Sequence, residues 1–121
     1  MKPQKSLHPR ARLGSIGFAL QGILQLVKQE PNAKIHFLAT IGVVTAGFIR
    51  HLSTHEWMGL VVAIALVWIA EAFNTAIEIL CDLWCKEEYH PKVKIIKDLS
   101  AAGVLIASLA SICIGILVFF F

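Results

Sequence analysis

VVAIALVWIAEAFNTAIEILCDLW, from Val61 to Trp84, opens as apolar as a bilayer-crossing segment and then carries Glu71, Asn74, Glu78 and Asp82. Its first half asks for hydrocarbon around it. Its second half asks for something to compensate polar groups held in the same helix. On a helix advancing about 100° per residue, the four polar residues fall within an arc of about 80°, with Thr75 at its border. They climb one face from mid-membrane depth to the helix end, opposite a wall of Val, Ile and Leu. A carboxylate near the bilayer centre costs roughly 2.5–3.5 kcal/mol on insertion scales. Two or more on one face require a shared compensation.

Composition supports a membrane setting. Of 121 residues, 57% are hydrophobic and 16% charged, outside ordinary globular usage. A water-soluble core of this size could not hide so many apolar side chains, whereas a crossing helix needs about 20 in succession. Leu99 to Phe121 meets that test without a charge. Trp57 to Ala70 is uncharged and reaches bilayer length when the polar-faced segment continues it. Phe37 to Ile49 does so when Ala33 to His36 are included, with Lys34 snorkelling to the headgroups. The expectation is an all-α membrane protein with an N-terminal amphipathic surface helix and three transmembrane helices. Residues 1–11 form a tail and 12–121 a single domain, with the surface helix at 12–30 and spans at about 33–50, 56–84 and 92–121.

Lys2, Lys5, Arg10, Arg12 and Lys28 precede the first span, and Lys86, Lys92, Lys94 and Lys97 follow the second. The other loop holds Arg50 as its fixed positive charge. Basic short loops stay cytoplasmic, so the N-terminus is expected inside and the C-terminus outside. The net charge of +3 is a topology signal more than a sign of nucleic-acid binding, for which no motif is present. A secretory signal is not expected, because no apolar core with a small-residue cleavage site precedes Pro31. Cys81, Cys85 and Cys113 lie in or beside membrane helices and read as small buried thiols.

Between Arg12 and Lys28, Leu13, Ile16, Leu20, Ile23, Leu24 and Val27 share one arc at helical spacing, with Gln21, Gln25 and Lys28 on another. Such a helix could lie in the cytoplasmic interface or pack on its own protein. Pro31 breaks it at Glu30, and Asn32 is expected to cap the next helix. Ser53 or Thr54 is expected to cap the second span, and Pro91 to open the third. Gly103, Ala107, Ser111 and Gly115 recur every four residues, a small-residue stripe that interhelical packing explains. His8, His36, His51 and His55 read as ordinary interfacial or solvated side chains.

The polar face admits three readings: interhelical hydrogen bonding, a metal and phosphate site, or an ion or proton pathway. For the second, Glu78 and Glu30 could hold Mg²⁺, which prefers carboxylate and phosphate oxygens. Glu71, deeper and desolvated, could act as a general base, with Asn74 orienting it. Lys97, beside Asp98 at the start of the third span, could neutralise phosphate charge. For the third, Glu71 would be the titrating carboxylate of a small proton-coupled transporter or channel subunit. That reading gives no role to Glu30 or Lys97. No GxxxxGK[ST] or GxGxxG loop is present.

EAFNTAIEILCD (Glu71 to Asp82), followed by EYHPKVKIIKDLSAAGVLIA (Glu88 to Ala107), resembles the signature of the small bacterial integral-membrane diacylglycerol kinases and undecaprenol kinases. The resemblance extends from about Leu13 to the last helix. It implies a homotrimeric bundle in the bacterial plasma membrane, with cytoplasmic active sites shared between protomers, in which MgATP phosphorylates a lipid alcohol. Diacylglycerol and undecaprenol are both candidate acceptors. By position, Glu71 matches the family's proton acceptor, Asn74 an essential polar residue, and Glu30 and Glu78 its metal-linked carboxylates. Lys97 and Asp98 match a nucleotide-contacting pair, and Glu88, Tyr89 and His90 a loop near adenine and ribose. Phe18 stands where a ring meets the nucleotide. A family Arg on the surface helix aligns with Ala11, so Arg10 or Arg12 would replace it, and Arg12 is the candidate lipid contact. The HP pair at His90 and Pro91 is similar to the undecaprenol branch.

Overall fold

A computed structural model describes residues 7–121; the expected tail falls partly on residues 1–6, outside the described residues. The described chain is all α: α1 (Pro9–Gln29), α2 (Pro31–Ile49), α3 (Thr54–Cys85) and α4 (Pro91–Phe120). Three of the helices, α2, α3 and α4, are long and apolar enough to cross a membrane.

Prolines set three of the four starts. Each occupies the first helical turn, where its missing N–H leaves no hydrogen bond unmade. Pro9 therefore opens α1 three residues ahead of Arg12. Pro31 also forces Glu30 out of helical geometry, and Glu30 adopts φ −97° and ψ 119°, closing α1 and capping α2. This corrects the capping expectation for Asn32, which lies inside the first turn of α2 because Pro31 already starts it. At α3 the cap falls to Ser53, within a reciprocal box. The Glu56 backbone N–H donates to Ser53 Oγ at 3.4 Å, and the Ser53 backbone N–H donates to Glu56 Oε2 at 2.7 Å. Helix α3 ends without glycine, on left-handed Lys86 (φ 48°) followed by Glu87 (φ 65°). His90 then caps α4, its Nδ1 accepting from the Lys92 backbone N–H at 3.2 Å.

Contacts run in antiparallel register on both sides of α3. Towards α2 they pass from Gly47 against Trp57, through a 3.0 Å hydrogen bond from Trp68 Nε1 to Thr40 Oγ1, to His36 beside Glu71. Towards α4 they pass from Gly59 facing Ile114 and Val118, through Ser111 Oγ donating to the Ala63 carbonyl at 2.8 Å, to Asp82 beside Lys97. Helix α3 is thus the central element, and α2 and α4 diverge from it around a groove lined by Thr40, Val43, Ile64 and Ile112. Arg50 closes the far end, Nη2 donating to the Phe119 carbonyl at the α4 C-terminus at 3.1 Å, where the helix dipole favours a cation.

Little is sequestered within one chain. Leu60, Ala63 and Cys81 on α3, Ala33 on α2, Leu26 on α1 and Val93 on α4 are buried apolar residues, while Ile69, Phe73, Leu105 and Leu117 stay exposed. Hydrocarbon accounts for that pattern, since lipid solvates such side chains as well as a protein core does. Within the small-residue stripe, Ser111 meets α3, whereas a Cβ at Gly103 or Gly115 would meet nothing within 4 Å. Helix α1 docks through Leu26, and its Leu13, Ile16, Leu20, Ile23 and Leu24 remain exposed.

Candidate active site

The buried polar side chains among the described residues are Glu71, Asn74 and Thr75, all on α3. Glu71 is 1% exposed. Its Oε2, Asn74 Oδ1 and Thr75 Oγ1 have no hydrogen-bond partner among the described residues. Each such group costs about 1–3 kcal/mol when buried unpaired, so packing on its own gives poor grounds for three of them on one patch. From α2, His36 Nε2 approaches Glu71 Oε2 to 3.5 Å. The Thr40 hydroxyl donates to the His36 carbonyl at 2.7 Å and accepts from Trp68, fixing that turn of α2 against α3.

Glu30 and Glu78, both half-buried, lie within electrostatic reach of Glu71. Glu30 arrives there because Pro31 bends the chain between α1 and α2. Glu78 lies two turns along α3 from Glu71 and is also within reach of Lys97. It therefore links the deep patch to a second one at the α3–α4 turn. There Asp82, Glu88, Tyr89, His90, Lys97 and Asp98 line a cleft of about 430 Å³, within the size range of small-molecule sites. Lys97 Nζ donates to Asp82 Oδ1 at 2.5 Å and Lys94 Nζ to Asp98 Oδ2 at 2.6 Å. The His90 ring meets Trp84 edge-on, with centroids 5.3 Å apart, and Tyr89 projects outward.

The site residues singled out in the sequence thus form two adjoining groups, joined at Glu78. Arg12 and Phe18 belong to neither. Both are exposed on α1, Phe18 to 74%, without a hydrogen bond or ring contact to the rest of the site among the described residues. His36 enters as the neighbour of Glu71 and Asp82 as the ion-pair partner of Lys97, roles that sequence reasoning had not assigned them. A signal for His36 existed in the spacing of Ala33, His36 and Thr40, one face of α2 on which Ala33 is fully buried. The pairing of Asp82 with Lys97 needs the α3–α4 register, which spacing does not supply.

Among the described residues, no three or more of His, Cys, Asp and Glu come close enough together to hold a metal ion. Mg²⁺ does not require that many, since it commonly takes one or two carboxylates and fills its remaining positions with phosphate oxygens and water. Glu30 and Glu78, beside the unpartnered oxygen of Glu71, fit such a hard-oxygen set.

Three membrane-length helices, a buried carboxylate and amide face, and a lysine-containing cleft at one end are the features of a membrane protein with a polar site towards one end of its helices. Comparison with known proteins places it further. The model of the prokaryotic diacylglycerol kinase family matches residues 17–119, and the chain belongs to that family. A diacylglycerol kinase of Synechocystis sp. is 34% identical over 103 residues, a match covering 85% of this chain and 59% of that relative's length. An undecaprenol kinase of Bacillus subtilis is 35% identical over 99 residues, covering 82% of this chain and 80% of the relative.

Proposed function

We propose that the protein is a membrane lipid kinase, transferring the γ-phosphoryl group of ATP to the hydroxyl of a lipid alcohol, diacylglycerol or undecaprenol. The observation that carries this reading is the single α3 face on which a buried Glu71 and Asn74 lead through Glu78 to the cleft of Lys97 and Asp98. Glu71 accepts the hydroxyl proton as the lipid oxygen attacks phosphorus, and Asn74 orients the reacting groups. Lys97 stabilises charge on the phosphate oxygens, exchanging its Asp82 partner for them, while Glu88, Tyr89 and His90 border the nucleoside. Glu30 and Glu78 would hold Mg²⁺, which when bound neutralises phosphate charge. Membership of the family and the names of both relatives support this chemistry over proton transport, which leaves Lys97 and the cleft without a role.

The assembly belongs to the same proposal. Helix α1 lies on the cytoplasmic membrane surface with its exposed apolar arc in the interface. Three protomers associate so that Phe18 and Arg12 of α1 reach nucleotide and lipid at a neighbour's site. The excess of Lys and Arg before α2 and after α3 supports a cytoplasmic N-terminus and site.

The deciding experiment is phosphate transfer from γ-labelled ATP with Mg²⁺ to diacylglycerol and to undecaprenol in mixed micelles. Label on either lipid, reduced by about 10²–10⁴ in Glu71→Gln as for loss of a general base, supports the reading and selects the acceptor. Equal labelling by wild type and variant would remove Glu71 from the chemistry.

A further inference from the structure

We infer that His36 carries away the proton that Glu71 collects, so that the site resets through α2. The inference rests on the kinase reading and extends it. In the transfer, the lipid oxygen forms its bond to the γ-phosphorus as the bond to the β-phosphate oxygen breaks, and the hydroxyl proton moves to Glu71. ADP and the phosphorylated lipid leave, but Glu71 remains protonated. At 1% exposure it has no direct way to return that proton to water.

His36 is placed to do so. Its Nε2 is 3.5 Å from Glu71 Oε2, and its side chain is 20% exposed where that of Glu71 is 1%. The imidazole lines both the groove between α2, α3 and α4 and the narrower one between α2 and α4. One edge of the ring meets the buried acid, and His36 lies five positions from the Pro31 start of α2, about 8 Å along the helix, near the end that the kinase reading puts at the aqueous surface. In the resetting step the Oε2–H bond breaks and an Nε2–H bond forms, giving the imidazolium; the ring then loses one proton to water and returns, by proton exchange with solvent, to the Nδ1–H tautomer whose Nε2 can accept again. Imidazole does this well because its two nitrogens can accept on one side and donate on the other.

The recorded side-chain contact of Glu71 is His36, and the other carboxylates within its electrostatic reach, Glu30 and Glu78, are engaged with Mg²⁺ in the kinase reading. From α3 the titratable group facing His36 is Glu71 itself, and on the chain around α2 the nearest acid is Glu30, at the helix cap. The wall from α4 is Ala101, Val104, Leu105 and Ser108. The position of the ring is also held, since Thr40 ties the His36 carbonyl to Trp68 of α3. His36 touches no substrate atom in this scheme and acts through Glu71.

The test uses the full chain in mixed micelles, with ATP and the lipid that the wild type phosphorylates, and compares His36→Ala and His36→Gln. Because Glu71 begins each experiment ready to accept, both variants should complete a first turnover near the wild-type rate. Steady-state turnover should then fall by about a hundredfold, with KM for ATP and for lipid unchanged. Added imidazole should restore the steady rate of His36→Ala in proportion to its concentration and leave His36→Gln slow, because the glutamine fills the space. A loss of first turnover equal to the steady-state loss, a raised KM without imidazole rescue, or no loss at all would overturn the inference while leaving the kinase reading in place. A wild type that labels no lipid alcohol would overturn both.

Discussion

Glu78 is the residue at which the two halves of the site meet. It shares a helix face with Glu71 and Asn74 and lies within electrostatic reach of Lys97 across the α3–α4 turn. Its carboxylate is half-buried, and it and Glu30 both lie within electrostatic reach of Glu71, so that carboxyl groups that repel one another when charged share one region. A divalent cation relieves that repulsion better than a lysine, since it accepts several oxygens at once. Glu78→Gln should therefore shift the Mg²⁺ dependence of turnover to higher concentration and lower kcat/KM for ATP by about a hundredfold. An Mg²⁺ titration identical to wild type would remove Glu78 from the metal. Glu71→Gln, by contrast, should leave the Mg²⁺ titration in place and lower kcat, because in the proposed chemistry it alters the proton acceptor. The residue identities on this face were legible in the sequence, where the 3.6-residue period aligns them. The partnership of His36 with Glu71 was not, because it depends on how α2 is rotated against α3.

At the scale of the helices, the two ends of the bundle are held by different means. The site end is held by ion pairs, Lys97 with Asp82 and Lys94 with Asp98, whereas the opposite end closes through the Ser53 box, Arg50 on the Phe119 carbonyl, and the Trp57 ring against Phe48 and Gly47. A Cβ at Gly47 would lie 2.8 Å and 3.0 Å from two atoms of the Trp57 ring and 3.1 Å from Leu52 Cδ1. A rigid indole packed on Phe48 cannot yield by rotating one terminal bond. Gly47→Ala should therefore cost about 1–3 kcal/mol by overpacking. It should lower the thermal unfolding midpoint of the solubilised protein while leaving kcat of the folded fraction unchanged. An unaltered midpoint would mean that the ring moves freely. Helix α3 also explains how one element serves both ends. Its 32 residues extend about 48 Å, well beyond a hydrocarbon core of about 30 Å, so Asp82 and Lys97 can stand near the membrane surface while Glu71 lies about 16 Å deeper along the same helix.

For the whole molecule, the issue is what one chain leaves incomplete. Among the described residues, three buried polar atoms lack a hydrogen-bond partner, α2 and α4 stand apart across a groove, and Phe18 and Arg12 remain exposed away from the acids. A neighbour that supplies α1 to the site accounts for the last of these. Subunits carrying Phe18→Ala with Arg12→Ala and subunits carrying Glu71→Gln should each be nearly inactive alone. Refolded together they should recover activity that neither shows, because some sites then combine an intact α1 with an intact Glu71. Failure of the mixture to exceed the sum of its parts would place α1 over its own protomer's site.

The membrane setting, the helical class, the proline start of α4 and the polar face of α3 were readable along the chain alone, whereas the starts of α1 at Pro9 and α2 at Pro31 were not placed there. Each follows from a local rule: apolar run length, the 3.6-residue period or the fixed φ of proline. The family signature was readable too, because its residues are contiguous. What faces that polar surface was settled by packing in three dimensions. The fold chose Ser53 over Thr54 as the cap of α3, put Glu30 rather than Asn32 at the start of α2, brought His36 to Glu71, and paired Asp82 with Lys97. Apart from the local caps, these choices join residues far apart in the chain. Such contacts depend on helix rotation and register, which periodicity leaves free and which side-chain packing between α2, α3 and α4 sets.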